Sequence, residues 1–518
     1  MNLPMRRFAL GLAVPYVAWA ILRLALMPAL EFDEAEQVLH RQWLRPLYGP
    51  QPPLFEWLVW GLGATLGLSA LEAVVLLKAV ALWTIGMAAA SFVRQAGLSV
   101  HAAGAAGWWV LSVPLLLWDA PRSLTHSLMA TAWLALLAAS SAPLFVRARQ
   151  PLGVARWALL GVLAAAALLS KYNAVLALAG WAAAVLTAWW RATGGGRDWA
   201  RLIALHARQA LPAWLPAVTL LAWHVMGVLE AWPAVRDPIA AKMRPGGELG
   251  VVQGVFSVVS GWLATLSLPA LLLGLARRRS AAQIGRTAPQ AYPQAEPRSE
   301  PSWLALAAVY ASVVGSAMLV LVVAGLMVDI KERWILPLAV PLLMLAAPGW
   351  ARFGSDFARR VRRMASALVA LALALLVGRG QVLAWMEEPS WSRLPARAAA
   401  QWVDGLGPDG ALVVAAPIHL AGALAAYGRR DRPVLHRHAS PLLWGHEPVC
   451  ALLIVQEGTQ TPGEGRLTAL GFIQDGEPRR VDLPRVPAAG DAVTLQARAW
   501  RHPDPRCPAR ASVYDHLP

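Results

Sequence analysis

Long apolar runs separated by short polar segments dominate the chain from residue 8 to residue 385. They lie near 8–30, 71–93, 101–118, 124–146, 154–169, 173–190, 210–229, 251–276, 302–328, 334–350 and 364–385. A helix needs about 20 apolar residues to cross a bilayer. The pattern therefore predicts about eleven transmembrane helices. The first run is too long for a signal-peptide core and no small-residue cleavage site follows it, so we expect a retained helix.

The pattern changes after residue 386. Short β-like runs at 411–417, 449–455 and 492–497 are separated by Gly, Pro and Asp turns, and fourteen of the 30 acidic residues lie in this part. We predict a membrane domain over 1–385 and a small α/β domain over 386–518. Within the membrane domain, 31–69 forms a first outer loop with amphipathic interfacial helices, and the Pro- and Ala-rich segment 278–301 forms a cytoplasmic linker.

Composition supports a membrane protein and excludes a soluble enzyme. The chain of 518 residues is 57% hydrophobic and only 15% charged, with a mean hydropathy of +0.48, whereas soluble domains are about 25% charged. The net charge of +16 is carried by arginines that flank the apolar runs on alternate sides. This is the positive-inside pattern, so it places the N-terminus in the cytoplasm and indicates no nucleic-acid partner. The C-terminal domain is then extracytoplasmic.

Three features outside the apolar runs leave alternatives open. Both cysteines, Cys450 and Cys507, lie in the C-terminal domain, where a disulfide and two free thiols are both compatible with the sequence. Three histidines there have irregular spacing that does not favour a metal site; they are His436, His438 and His446. The outer loop at 229–250 carries Arg236, Lys242 and Arg244 and is interpreted either as a mobile cover over a site or as an inert linker.

An acidic cluster directly follows the first apolar run, on the predicted outer face. The segment EFDEAEQ carries four carboxylates, which are Glu31, Asp33, Glu34 and Glu36. Acidic residues in a first turn can simply mark a helix start. The following segment is too polar and Pro-rich to span the bilayer, so a carboxylate held here would lie close to both head groups and water. This placement suits a general base that acts on an acceptor hydroxyl.

Basic residues on the same predicted face complement the acidic cluster. Lys331 and Arg333 lie in a short outer loop, Lys171 lies where two apolar runs meet, and Arg122 follows Asp119. Cations that snorkel to the interface are the alternative interpretation. Positive charge on the outer face nevertheless opposes the topology bias, and Arg and Lys both bind phosphate. We therefore expect Asp33 and Arg333, three hundred positions apart, to face one cavity at the outer leaflet.

Three short motifs carry a resemblance to a known family. They are Asp33-Glu34 followed by Gln51-Pro52-Pro53-Leu54 and Trp57, then Leu169-Ser170-Lys171-Tyr172-Asn173, and last Lys331-Glu332-Arg333-Trp334 with Leu336-Pro337. Over about 10–350 the chain resembles the polyprenol-phosphate-sugar-dependent glycosyltransferases of family 39, which include protein O-mannosyltransferases, lipid A aminoarabinose transferases and RgtA/B/C/D-type transferases. A fourth segment, Arg122-Ser123-Leu124-Thr125-His126, is also similar.

The resemblance implies a GT-C-type, α-helical polytopic membrane fold in a bacterial inner membrane. The donor would be a sugar on undecaprenyl phosphate or a similar lipid, and the acceptor an extracytoplasmic hydroxyl of a glycolipid, polysaccharide or protein. Its functional residues map onto catalytic Asp33 and Glu34, phosphate-binding Lys331, Arg333, Lys171 and Arg122, and further site residues Gln51, Tyr172 and His126. The resemblance specifies no cofactor and leaves metal dependence open, since Asp33 and Glu34 could hold a divalent cation.

The chain departs from the family pattern at two positions. Many relatives have Lys where Gln51 stands, and many have an Asp in the second outer loop, where this chain offers His126 or the earlier Asp119. The first departure removes a positive charge from the implied phosphate site.

The expected reaction is an inverting attack by the acceptor hydroxyl, with Asp33 removing its proton.

Two functions from other classes compete with a glycosyltransferase. A transporter or lipid flippase usually shows internal repeats and polar residues near the bilayer midplane, whereas this chain shows no repeat and its acidic cluster lies at the surface. An assembly factor anchored by its helices is the third interpretation, although eleven spans exceed what an anchor requires.

Overall fold

The computed structural model describes most of the membrane domain and much of the C-terminal domain. The described residues are 3–230, 250–284, 302–351, 353–386, 390–406, 411–429, 432–436, 450–457, 464–469, 472–486 and 492–501, with the single positions 232, 236 and 243. Cys507, His438, His446 and most of the loop at 229–250, including Lys242 and Arg244, lie outside the described residues.

In the described part of the membrane domain, all regular secondary structure is helical. Its helices are α1 (Leu3–Leu26), α2 (Phe32–His40), α3 (Leu54–Leu66), α4 (Ala70–Gln95), α5 (Val100–Val110), α6 (Ala120–Arg122), α7 (His126–Ser141), α8 (Pro143–Val146), α9 (Val154–Ser170), α10 (Ala174–Thr193), α11 (Gly196–Ala213), α12 (Leu215–Glu230), α13 (Gly250–Ile284), α14 (Trp303–Val323), α15 (Glu332–Trp350) and α16 (Ser355–Trp385). A π-helical turn at Leu115–Asp119 precedes α6. The central helix, α4, packs against α1, α5 and α7.

Each of the eleven predicted spans coincides with a helix or a helix pair. Among the described residues, eight helices are long and apolar enough to cross a membrane, and the count reaches ten when two pairs bent by 74° and 54° are taken as one span each. The eleventh segment is α9, which has only 17 residues. It is short because the chain leaves the helix at Lys171 and resumes a helix at Ala174.

The first outer loop contains the two expected short helices. In α2 the carboxylate of Glu34 accepts a hydrogen bond from the backbone amide of Glu31 at 3.2 Å, which satisfies a donor at the helix start. In α3 the last turn ends at Gly67, whose φ of 68° lies in the left-handed region that glycine tolerates. Helix α13 continues to Ile284, so the first residues of the predicted linker 278–301 are helical.

The C-terminal domain is built on a five-stranded mixed sheet. Its strands are β1 (Leu412–Ala416), β2 (Val434–Leu435), β3 (Cys450–Gln456), β4 (Ile473–Leu483) and β5 (Val493–Arg501), in the order β2-β1-β3-β5-β4. The first three strands are parallel, and β5 is antiparallel to both β3 and β4. The helices are α17 (Ala396–Asp404), α18 (Ile418–Tyr427) and α19 (Glu464–Ala469). The predicted small α/β domain is confirmed.

One apolar core joins the two domains. Buried side chains of the membrane helices are continuous with those of α2, such as Ala35 and Leu39, and with those of α18, such as Leu420 and Leu424. A second cluster covers the other face of the sheet and includes Trp43. Helix α2 therefore lies between the membrane helices and the C-terminal domain.

Candidate active site

The three motifs that carry the family resemblance meet around one cavity of about 310 Å³. The segment after α2 contributes Gln51, the turn between α9 and α10 contributes Lys171 and Tyr172, and the start of α15 contributes Lys331 and Arg333. The remaining described lining is largely apolar and consists of Pro50, Pro52, Asn173, Val175, Leu176, Met243, Leu321, Met327 and Trp334. The cavity is therefore lined by two cationic segments and an apolar wall.

The turn between α9 and α10 is held by contacts to three other helices. Lys171 ends α9 in an extended conformation, is 9% exposed, and donates from Nζ to Ser127 Oγ at 2.5 Å. The hydroxyl of Tyr172 lies 3.0 Å from His224 Nε2, and the amide of Asn173 donates to the carbonyl of Trp334 at 2.5 Å. The last bond ties the turn directly to the start of α15.

Lys331 and Arg333 stand at the N-terminus of α15, where the helix dipole favours an anion. Arg333 lies across from α2, with its NH1 group 3.5 Å from Oδ1 of Asp33. The Arg333 side chain is 37% exposed and that of Asp33 is 16% exposed. The carboxylate and the guanidinium therefore lie side by side. Arg333 lines the cavity, whereas Asp33 lies outside its described lining and is next to it only through Arg333.

Glu34 lies outside the lining of the cavity. Its side chain is fully buried, and its two oxygens accept from Arg23 of α1 and from Lys78 of α4, each at 2.7 Å. Burial raises the pKa of Glu34, but the two cations outweigh burial and lower the pKa below its usual value. The arrangement engages both carboxylate oxygens, so Glu34 fixes α2 rather than presenting itself to a substrate or a metal ion.

Arg122 and His126 also lie outside the described lining. Arg122 donates from Nε to the carboxylate of Glu31, directly before α2, at 3.3 Å. Arg379 of α16 donates to the same carboxylate at 2.6 Å. His126 is buried, with its Nε2 3.3 Å from Glu56 Oε1. The structure therefore brings Lys171, Lys331 and Arg333 together, with Gln51 and Tyr172, but it pairs Arg122 elsewhere.

A buried polar cluster joins α2, α3 and α7, and of its members only His126 was predicted from the sequence. Glu56 of α3 lies between His126 of α7 and His40 of α2, each at 3.3 Å, and Gln37 donates to Glu56 at 3.3 Å. Burial raises the pKa of Glu56, but the neighbouring imidazoles lower it to about 2. Gln37 and His40 follow Asp33 by four and seven residues, so the spacing of one helical face could have revealed them.

Lys78 was the clearest missed signal. Apart from Glu72 at its start, the apolar run 71–93 has Lys78 as its one charged residue, and ionisable groups at such positions are costly unless they are paired. Besides Glu34, Lys78 donates to the carbonyl of Arg122 at 2.7 Å, so it joins α2 to the second outer segment. Among the described residues, no group of three or more His, Cys, Asp or Glu side chains is placed to hold a metal ion.

The fold and the cavity define the class of protein. The chain is similar to the crystal structure of ArnT from Cupriavidus metallidurans bound to undecaprenyl phosphate, with a TM-score of 0.54, 14% sequence identity, and coverage of 94% of this chain and 98% of that chain. This protein is therefore a multi-pass membrane protein with a GT-C-type fold. No family model matches the chain.

Two relatives add a closer likeness at the level of sequence. The chain is 28% identical to lipopolysaccharide core galacturonosyltransferase RgtA of Rhizobium johnstonii over 380 residues, which are 71% of this chain and 69% of the relative. It is 28% identical to RgtB of the same organism over 337 residues, which are 64% of this chain and 62% of the relative. The resemblance to Rgt-type membrane glycosyltransferases is confirmed.

Proposed function

We propose that this protein transfers a sugar from a polyprenyl-phosphate donor to a hydroxyl of a lipopolysaccharide-type acceptor outside the cytoplasmic membrane. The single observation that carries the proposal is the pairing of Asp33 with Arg333 at 3.5 Å, at the edge of a cavity that also holds Lys171 and Lys331. A base and a set of phosphate-binding cations are thus adjacent. The N-terminus is cytoplasmic and the C-terminal domain extracytoplasmic, as the distribution of arginines indicates.

The donor phosphate binds among the cations at the start of α15. Lys331 and Arg333 contact its oxygens, and the N-terminal dipole of α15 adds positive potential. When the sugar departs, the phosphate gains negative charge. Fixed cations in a half-buried cavity stabilise this charge more than they stabilise the intact donor, and this difference lowers the barrier.

The apolar wall of the cavity accommodates the lipid. Val175 and Leu176 of α10 and Leu321 of α14 line the space next to the cations, and Val175 is 53% exposed. An isoprenoid chain can therefore leave the cavity between α10 and α14 into the bilayer while its phosphate stays with Lys331. This placement matches an amphipathic donor rather than a soluble nucleotide sugar.

Asp33 acts as the general base. Its carboxylate accepts the proton of the acceptor hydroxyl while the acceptor oxygen bonds to the anomeric carbon. The bond between that carbon and the phosphate oxygen breaks, and its electron pair leaves with the phosphate. Attack occurs opposite the leaving group, so the configuration inverts. Binding of the phosphate competes with Asp33 for Arg333, so the donor itself frees the base.

The charge balance of the cavity favours an acidic sugar. Lys171, Lys331 and Arg333 carry three positive charges, and Asp33 offsets one of them. A polyprenyl-phosphate hexuronic acid carries two negative charges, one on the phosphodiester and one on the sugar carboxylate, and would neutralise the remaining two. The two relatives are galacturonosyltransferases, which supports a hexuronic acid as the sugar.

Transfer assays with the purified protein test the proposal. Undecaprenyl-phosphate galacturonic acid is offered with lipopolysaccharide that lacks galacturonic acid, and wild type is compared with Asp33→Asn and with a Glu36→Gln control from the same acidic cluster. We expect Asp33→Asn to lower kcat by about 10²–10⁴-fold, the range of general-base catalysis, and the control to retain activity. Transfer by Asp33→Asn at the wild-type rate, or lipid movement without transfer, contradicts the proposal.

A further inference from the structure

The C-terminal domain rests directly on the helix that carries Asp33. Helix α18 (Ile418–Tyr427) of the C-terminal domain lies against α2 (Phe32–His40). The two helices share one buried apolar cluster, in which Ala35 and Leu39 of α2 meet Leu420 of α18. Contacts occur before α2, in its middle and after its end, so the domain follows the whole length of this short helix.

The first set of contacts fixes the entry to α2. The hydroxyl of Tyr427 donates to the carbonyl of Pro28 at 2.9 Å, and Nδ1 of His419 lies 2.9 Å from the carbonyl of Leu30. The His419 ring is stacked on Trp391 with a centroid distance of 5.1 Å and faces the edge of Phe32 at 6.3 Å. The chain between α1 and α2 is therefore held from the side of the C-terminal domain.

The middle contact leaves no room for a side chain. A Cβ atom placed on Gly422 would lie 2.4 Å from Cβ and 2.6 Å from Cα of Ala35. Real Cβ atoms do not approach neighbours this closely, and one of the two obstructing atoms belongs to the backbone. Any residue larger than glycine at 422 must therefore move α2 and α18 apart, two positions from Asp33.

The third contact fixes the exit from α2. The side-chain amide of Gln42 donates to the carbonyl of Val434 at 2.8 Å and accepts from the amide of Val434 at 2.8 Å. Gln42 thus makes both hydrogen bonds that a neighbouring strand would make with β2. On the other side of α2, Glu34 is fixed by Arg23 and Lys78. The helix is consequently held between two rigid supports.

We propose that the C-terminal domain is a positioning element of the active site, with His419, Gly422 and Gln42 as its positioning residues. This inference rests on the proposed role of Asp33. Contacts to the membrane helices through Glu34, Gln37 and His40 anchor α2, whereas the C-terminal domain sets how far Asp33 stands from the cavity. A misplacement of about 1 Å can cost about 10²-fold in rate, so a small shift of α2 has a large effect on catalysis.

A rescue experiment at Gly422 gives the sharpest test. In the transfer assay described above, we expect Gly422→Ala to lower kcat by about 10-fold or more, and Gly422→Leu to lower it further. The donor KM changes much less than kcat, because the phosphate-binding cations lie on α15 and on the turn between α9 and α10. Adding Ala35→Gly to Gly422→Ala removes the nearest clashing atom and restores part of kcat.

Three further variants control for loss of folding. His419→Asn keeps a donor at the place of Nδ1 and retains most of kcat, whereas His419→Ala lowers it; Ile473→Ala, at a site 64% exposed on the same domain, serves as the surface control. Wild-type kcat in folded Gly422→Leu overturns the inference, as does equal loss in His419→Asn and His419→Ala. If Asp33→Asn is active, the proposed function fails. If Asp33→Asn is inactive but Gly422→Leu is active, only the positioning role of the C-terminal domain is refuted.

Discussion

The buried charge cluster beneath α2 permits a prediction whose sign and order follow from geometry. Among the described residues, Glu34 is the one carboxylate that bonds both Arg23 and Lys78, at 2.7 Å from each, and all three side chains are at most 4% exposed. Glu34→Gln is nearly isosteric and keeps an oxygen for the backbone amide of Glu31, which now bonds Glu34 at 3.2 Å. The substitution removes the charge and replaces the oxygen that accepts from Lys78 with an amide group that can only donate.

The magnitude follows from which charges remain. Glu34→Gln leaves two buried cations without a counter-charge, and removing one partner of a buried pair costs about 3–5 kcal/mol. Lys78→Met instead leaves the Arg23–Glu34 pair intact and loses charge-assisted hydrogen bonds, each of which contributes about 1.5–3 kcal/mol. In the double variant, which combines Glu34→Gln with Lys78→Met, Arg23 is the only one of these three side chains that is still charged. Because these two ranges overlap, the order that the geometry fixes is that Glu34→Gln is less stable than the double variant, which buries one cation without a counter-charge instead of two.

Thermal and denaturant unfolding in detergent micelles measures these differences. Arg201→Met serves as the control, because Arg201 and Asp198 form a pair at 3.3 Å whose side chains are 78% and 67% exposed, and such surface pairs contribute about 0–1 kcal/mol. If Glu34→Gln costs no more than this control, or if adding Lys78→Met to it deepens the loss by the full cost of Lys78→Met alone, the idea of a coupled buried cluster is refuted.

Three further predictions concern the site and its surroundings. Arg333→Gln should lower kcat by about 10²–10³-fold, as loss of a group that stabilises transition-state charge does; a loss below 10-fold in steady-state kinetics would argue against a phosphate role. Arg122→Gln should change the donor KM less than 10-fold, because Arg122 is paired with Glu31 outside the cavity lining; a change as large as that of Arg333→Gln would place it in the site. Burial lowers the pKa of His419 below its ordinary 6.5, although the Leu30 carbonyl and the charges of Glu31 and Glu34 oppose the shift. The unfolded chain then binds the proton more readily, so stability is complete above about pH 6.5 and falls as pH decreases; the slope of Tm against pH should be smaller in His419→Asn, and an unchanged slope would contradict this assignment.

The sequence by itself determined the class of protein and the motifs of its site. The apolar runs specified the spans because crossing a bilayer requires local length and hydrophobicity, which a linear sequence displays directly. The β-like runs near 411–417 and 449–455 became β1 and β3, because a parallel strand buried on both faces appears in the sequence as a short apolar run. Strand β4 (Ile473–Leu483) was missed, because its residues include Asp, Gly, Pro and Arg and show no apolar run.

Only the tertiary structure decided which charged residues work together. Asp33 and Glu34 are neighbours in sequence, yet consecutive residues point about 100° apart on a helix, so Asp33 meets Arg333 while Glu34 meets Lys78. Lys331 and Arg122 were both predicted from the sequence to be phosphate-binding cations on the outer face. Helix packing placed Lys331 in the cavity and Arg122 beside Glu31. The contact between Gly422 and Ala35 was equally invisible in the sequence. Periodicity records which face of a helix is buried, whereas partners hundreds of residues apart are chosen by how the helices pack.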